Sequence, residues 1–188
     1  MKDKLYIIVD SSGSMFEMAK YSISMNLLFT IRDFNKFNQE FNEISLFFWN
    51  REVNEVDFVN TDDFMSFTAS GKLNFETLKE KLILINEEDK DIKILFLSDG
   101  NYENSKFNDF CNYVENRSNI YIVPIHIGAD SSIDKLKSIS FNGYVYGAED
   151  VLTAIKSFNY IFKEMLVIPI SIDDIQMELS DKEEVDEW

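Results

Sequence analysis

Four short apolar runs punctuate the chain: LYIIV (5–9), ISLFFW (44–49), IKILFLS (92–98) and IYIVPIHI (120–127). None alternates cleanly between apolar and polar positions, so each predicts a strand covered on both faces, the habit of parallel sheets. A fifth segment, REVNEVDF (51–58), does alternate and follows the second run closely, which predicts an antiparallel edge strand. Between the runs the apolar spacing becomes helical. Met18, Tyr21, Met25, Leu28 and Ile31 share one face of a helix running from Ser14 to about Phe37. Phe75, Leu78, Leu82 and Ile85 do so over 74–85, Phe107, Phe110 and Val114 over 104–117, and Val151, Leu152, Ile155, Phe158 and Phe162 over 149–165.

Strand, helix, hairpin, helix, strand, helix, strand, helix is the pattern of an α/β, doubly wound domain. It predicts a mostly parallel central sheet with one antiparallel edge strand and helices on both faces. Right-handed crossovers then gather the strand C-termini along one rim. The domain is expected over 1–165. After it the composition shifts, and the tail 166–188 holds eight acids and one lysine. Its first part, up to Ile172, could pair as a further strand; the rest reads as a solvated acidic end that could also offer a carboxylate in cis.

Charge narrows the function classes. Acids outnumber bases 34 to 18, a net charge of −16, which argues against nucleic acid and against an anionic membrane surface. The apolar run at the start stops after five residues, shorter than a signal peptide, and no stretch is long enough to cross a bilayer. A single cysteine, Cys111, forms no internal disulfide. A cytoplasmic location is expected, and no oligomeric state is implied.

Three connections at the expected rim are polar in a coordinated way: DSSGS after the first strand, TASGKLNFE (68–76) before a helix, and SDGN (98–101) after KILFL. Asp10 and Asp99 would end central, adjacent strands, with Ser12 and Ser14 between them and Gly13 permitting a tight turn. Two neighbouring carboxylates repel, and a divalent cation is the ordinary remedy. Hard oxygen donors of this kind suit Mg²⁺ or Mn²⁺, with Ca²⁺ also admissible.

DSSGS followed by LSDG resembles the von Willebrand factor A domain, whose metal-ion-dependent adhesion site (MIDAS) reads D-x-S-x-S, then a Thr, then an Asp-Gly. The resemblance covers roughly residues 4–165. It implies that Ser12 and Ser14 bind a metal directly, with Asp10 and Asp99 holding it directly or through water. One coordination position is then left for an Asp or Glu of a protein partner, so the metal joins proteins and catalyses nothing. Among A domains the chain resembles the short intracellular bacterial members associated with tellurite resistance, which serve as adaptors. One position departs: SGKLNFETL places Leu73 where the family has its threonine ligand. The site then loses a ligand or borrows an oxygen from Asn74, Ser70 or Thr68, and a metal-free structural adaptor is the alternative reading.

Plainer readings exist for each residue. A lone Ser or Asp after a strand is a helix cap, and Asp99-Gly100 alone is a turn; only the pairing gives them weight. His126, the only histidine, reads as a hydrogen-bonded core residue, and Cys111 as an inert packed thiol. Trp49 reads as core, and Trp188 as a frayed end or a docking anchor. Enzyme readings lack support: there is no G-x-S-x-G elbow, no phosphate-binding glycine loop and no dinucleotide fingerprint.

Overall fold

A computed structural model describes residues 4–59, 69–88 and 91–160. The expectations for Thr68, Phe162, the tail 166–188 and Trp188 lie outside these residues. Compactness divides the chain after Ile155; the sheet, the helices up to Ser138 and the rim described below belong to the unit ending there.

Each apolar run becomes a strand: β1 (Lys4–Asp10), β2 (Glu43–Trp49), β4 (Ile92–Ser98) and β5 (Ile120–His126), with β3 (Val53–Val56) as the alternating edge. The sheet order is β3-β2-β1-β4-β5-β6, where β6 is the two-residue strand Tyr146–Gly147. All pairings are parallel except β2 with β3. The absence of alternation in the sequence has its cause here, since both faces are covered. Tyr6, Ile8, Phe47, Trp49, Ile94 and Phe96 enter the core beneath α2 (Phe75–Glu88) and α3 (Asn104–Glu115). Val9 and Phe48, which pair across the β1–β2 ladder, instead meet Tyr21, Ser24 and Met25 of α1 (Lys20–Asn38).

Three details differ from the expectation. The first helix does not run unbroken from Ser14: a 3₁₀ segment, Gly13–Ala19, is separated from α1 by a kink in which Met18 (φ 49°) and Ala19 (φ 58°) are left-handed. Met18 is therefore 73 % exposed rather than on the buried face. A short helix, α4 (Ile133–Ser138), and strand β6 carry too few apolar positions to show a period. The last helix, α5 (Val151–Ser157), passes into a 3₁₀ turn, Phe158–Tyr160, where the described residues end.

β1 and β4 lie side by side in parallel, with Val9 opposite Leu97, so Asp10 and Asp99 emerge from neighbouring strand ends. That placement is what the site is built on.

Candidate functional site

Backbone hydrogen bonds stitch the first two polar loops to each other and to the turn after β2. Ser70 N–H donates to Ser11 O at 2.8 Å, Gly13 N–H to Gly71 O at 3.0 Å, and Asn74 N–H to Asn50 O at 2.8 Å. Trp49, fully buried, donates its indole N–H to Asn74 O at 2.8 Å and packs edge-on against Phe75. The loop after β4 is held from the other side, where Ser132 N–H donates to Asp99 O at 2.7 Å. Gly100 (φ +72°) makes that approach possible, because a Cβ there would stand 2.6 Å from Ser132 O. Gly13 carries no such constraint: its φ is not left-handed and a Cβ would meet only ordinary contacts, so the sequence reading of it as the turn-permitting residue is corrected.

Asp10 is 1 % exposed and accepts three hydrogen bonds. Its Oδ1 accepts from the Ser12 N–H (2.9 Å) and the Ser12 hydroxyl (2.6 Å), and its Oδ2 from the Ser98 hydroxyl (2.6 Å). Ser98 in turn accepts from the Gly100 N–H and from the Tyr102 hydroxyl at 2.7 Å. Burial, with the charge of Asp10 nearby, pushes the Tyr102 phenol well above its ordinary range, so it stays a donor. Because the one proton of Ser12 is committed to Asp10, its oxygen accepts from the Ser14 hydroxyl, 3.1 Å away, and keeps a second lone pair. Two neighbouring oxygens in an octahedral shell around Mg²⁺ stand about 3 Å apart. The serine pair thus fits one edge of a hard-cation shell, with the Asp10 charge directly behind it. Both serines open onto a 420 Å³ cleft that Arg51, Lys72, Leu73 and Lys106 also line.

Asp99 is arranged differently. It is fully buried; its Oδ1 accepts from Asn101 N–H at 3.0 Å and its Oδ2 from Lys20 Nζ at 2.9 Å. Lys20 is itself fully buried and reaches Asp130 Oδ2 at 2.8 Å. Burial alone would lower the ammonium's pKa, but the bonds to Asp130 and Asp99 outweigh it and raise it, so Lys20 stays charged; Asp130 is held below its usual range by Lys20. Neither carboxylate lines the cleft. Among the described residues no group of three or more His, Cys, Asp or Glu side chains is placed to hold a metal.

The four sequence candidates therefore meet at one rim, but in two layers: Ser12 and Ser14 face the cleft, Asp10 supports them from beneath, and Asp99 is tied inward to a lysine. Leu73 packs its half-buried side chain against the core instead of offering an oxygen. Asn74 spends its Oδ1 on the Glu76 N–H and its carbonyl on Trp49 and Thr77. The sequence reading missed Lys20, Asp130 and Tyr102. A signal for Lys20 was present: Lys20, Ser24, Leu27 and Ile31 follow helical spacing on the buried face of α1. His126 is hydrogen-bonded to Ser131 Oγ at 3.1 Å, and burial raises the Cys111 thiol.

Two outcomes follow for the metal-free protein. Burial pushes the Asp10 carboxyl up to about 6 from 3.8, against the pull of its Ser12 and Ser98 hydrogen bonds and with a further push from Asp99. The folded chain holds this proton more tightly than the unfolded one, so the cost of the buried charge is absent below the unfolded value and complete above the folded one. In EDTA, going from pH 7.5 to pH 5 should stabilise the wild type by about 1 kcal/mol, seen as roughly 2–4 °C in Tm. Asp130, shifted downward, titrates below this window. Asp10→Asn should flatten the slope, and a slope that persists contradicts the assignment. Separately, Gly128 is left-handed (φ +91°) and a Cβ there would stand 2.7 Å from Lys20 Cε, whereas one on Gly143 (φ +72°) meets nothing. Gly128→Ala should cost at least about 2 kcal/mol and Gly143→Ala about 1 kcal/mol, read by urea unfolding.

No protein-family model and no curated protein matches the chain. Solved structures do. Proximal thread matrix protein 1 from the mussel byssus, with a zinc-occupied MIDAS motif, gives a TM-score of 0.61 at 15 % identity, covering 84 % of this chain and 46 % of that one. A von Willebrand factor type A structure from Catenulispora acidiphila gives 0.57 at 13 % identity, covering 85 % and 42 %. The manganese-loaded TRAP protein of Plasmodium vivax gives 0.58 at 15 % identity, covering 84 % and 73 %. The chain spans less than half the length of the first two. With its six-stranded order, its single antiparallel edge and the loops at its rim, this chain has the fold of a von Willebrand factor A domain.

Proposed function

We propose that this chain is a protein-interaction domain that binds an acidic segment of a partner at its rim through a divalent cation. Ser12 and Ser14 would hold the ion, Asp10 would orient and charge them, Asp99 would contribute from behind, and a partner Asp or Glu would complete the shell. The observation that carries this reading is the Ser12–Ser14 oxygen pair, 3.1 Å apart, with the Ser12 proton directed away onto Asp10. The bound ion would supply charge neutralisation between two sets of carboxylates; the domain binds and does not catalyse. Work as a cytoplasmic adaptor, like the tellurite-associated A domains the sequence resembles, belongs to the same proposal. Among the described residues, no helix is long and apolar enough to cross a membrane.

The cleft adds a reason for an acidic partner. In a chain of net charge −16 its wall carries Arg51, Lys72 and Lys106, and among the described residues lining it Glu103 is the only acid. Lys72 pairs with Glu103 at 3.3 Å, leaving the local balance positive. Beside the serines, Phe16 (69 % exposed) and Met18 (73 % exposed) offer apolar surface for a partner to cover.

The alternative, a metal-free adaptor, is favoured by two observations: Leu73 gives no oxygen, and Lys20 already neutralises Asp99. One titration separates the readings. With Mg²⁺ or Mn²⁺ at about 100 times Kd the native state gains about 2.7 kcal/mol, a Tm rise of roughly 5–10 °C that Ser12→Ala/Ser14→Ala abolishes. A flat response up to millimolar metal supports the metal-free adaptor.

Partner chemistry is read by panning a random displayed-peptide library on the protein with Mn²⁺ present. Recovered peptides should be enriched in Asp and Glu, and the Arg51→Glu/Lys72→Glu/Lys106→Glu protein should lose that enrichment. Peptides without acidic bias, or a bias indifferent to the three reversals, would contradict the acidic partner.

A further inference from the structure

We propose that Lys20 is a built-in counter-ion that competes with a divalent cation for Asp99 and thereby sets the metal affinity of the rim. The inference rests on the metal reading above, and deepens it by assigning a residue that tunes the site.

Lys20 follows directly on the kink at Met18 and Ala19, and its side chain runs inward beneath the rim to the loops after β4 and β5. The path of its stem is shaped for it: Gly128 leaves room where any Cβ would stand 2.7 Å from Cε and 3.1 Å from Cγ. At the end of this path the ammonium meets Asp99 Oδ2 at 2.9 Å and Asp130 Oδ2 at 2.8 Å, and no part of the lysine side chain reaches solvent. A buried ammonium at this distance from a buried carboxylate neutralises it as a metal would, with a single charge, and its own dehydration is offset by its bonds to Asp99 and Asp130.

The consequence is competition at named atoms. Asp99 Oδ1 is engaged by the Asn101 N–H and Oδ2 by Lys20, so a cation that draws on Asp99 must share its charge with the ammonium. Asp130 acts on the other side of the balance. Its side chain is 39 % exposed and it holds Lys20 away from sole attachment to Asp99. Removing Lys20 frees Asp99 for the cation; removing the charge of Asp130 gives Asp99 the whole ammonium. The two substitutions therefore change metal affinity in opposite directions, although both break the same buried cluster. Simple structural damage would weaken binding in both.

The test is calorimetric titration of the full chain with Mn²⁺ at pH 7.5, with Tm in EDTA as the control for folding. Lys20→Met should tighten Mn²⁺ at least tenfold, and Asp130→Asn should weaken it severalfold. Unchanged or weaker binding by Lys20→Met, or tighter binding by Asp130→Asn, overturns the proposal. If Lys20→Met does not fold, Lys20→Gln, which keeps a hydrogen-bond donor for Asp99 without the charge, carries the same expectation. A wild type that shows no Mn²⁺ binding up to millimolar ion would defeat the metal reading for the native chain. Binding gained by the Lys20 variant would then still uphold the counter-ion, and binding gained by neither would overturn it.

Discussion

Two carboxylates buried at the ends of neighbouring parallel strands must each be compensated, and the organisation of the rim follows from how differently they are. Asp10 is compensated by hydrogen bonds alone, from Ser12 and Ser98. Asp99 is compensated by a full opposite charge, the Lys20 ammonium, with Asp130 sharing it. Hydroxyl and amide donors stabilise a buried carboxylate incompletely, which is why burial still pushes the Asp10 carboxyl up to about 6. A salt bridge inside the protein is balanced differently: separating its partners leaves an isolated charge, at a cost of roughly 3–5 kcal/mol, even where the pair itself adds little stability.

This asymmetry separates the rim into a layer that faces the cleft and a layer buried beneath it. The donors facing the cleft are neutral hydroxyls; Asp10 orients that of Ser12, and Ser14 is bonded to Ser12 in turn. The charge lies beneath them, out of solvent. A cation seated on the serines would relieve the uncompensated charge of Asp10 first and compete with Lys20 for Asp99 second. The kink before α1 serves both layers, since its two left-handed residues, at a cost of order 1–3 kcal/mol each, turn Lys20 inward and leave Phe16 and Met18 outside. An unbroken helix would have put Met18 on the buried face.

The strands and the adjacency of Asp10 and Asp99 were legible because each rests on a long signal: four apolar runs without alternation, one run with it, and helical spacing between them. The departure at Leu73 was legible as well, and its side chain does join the core. Lys20 was less legible, because the kink that redirects it carries no glycine or proline and Met18 keeps helical spacing with Tyr21, Met25 and Leu28 across it. Asp130 lies in a loop whose meaning depends entirely on Lys20 reaching it across 110 positions of sequence. The two-residue β6 and six-residue α4 are placed by the sheet and by single buried side chains such as Leu136, which leave no period to find. The adjacency of loops from three parts of the chain comes from backbone hydrogen bonds that side-chain types do not announce.

The most direct measurement is an anomalous difference map from crystals of the full chain grown with manganese. A single peak touching the Ser12 and Ser14 hydroxyls is expected, with Asp10 still accepting from Ser12 and the Lys20 ammonium still within the buried cluster. Density for Mn²⁺ elsewhere only, or none at the serines under saturating manganese, would contradict the metal reading.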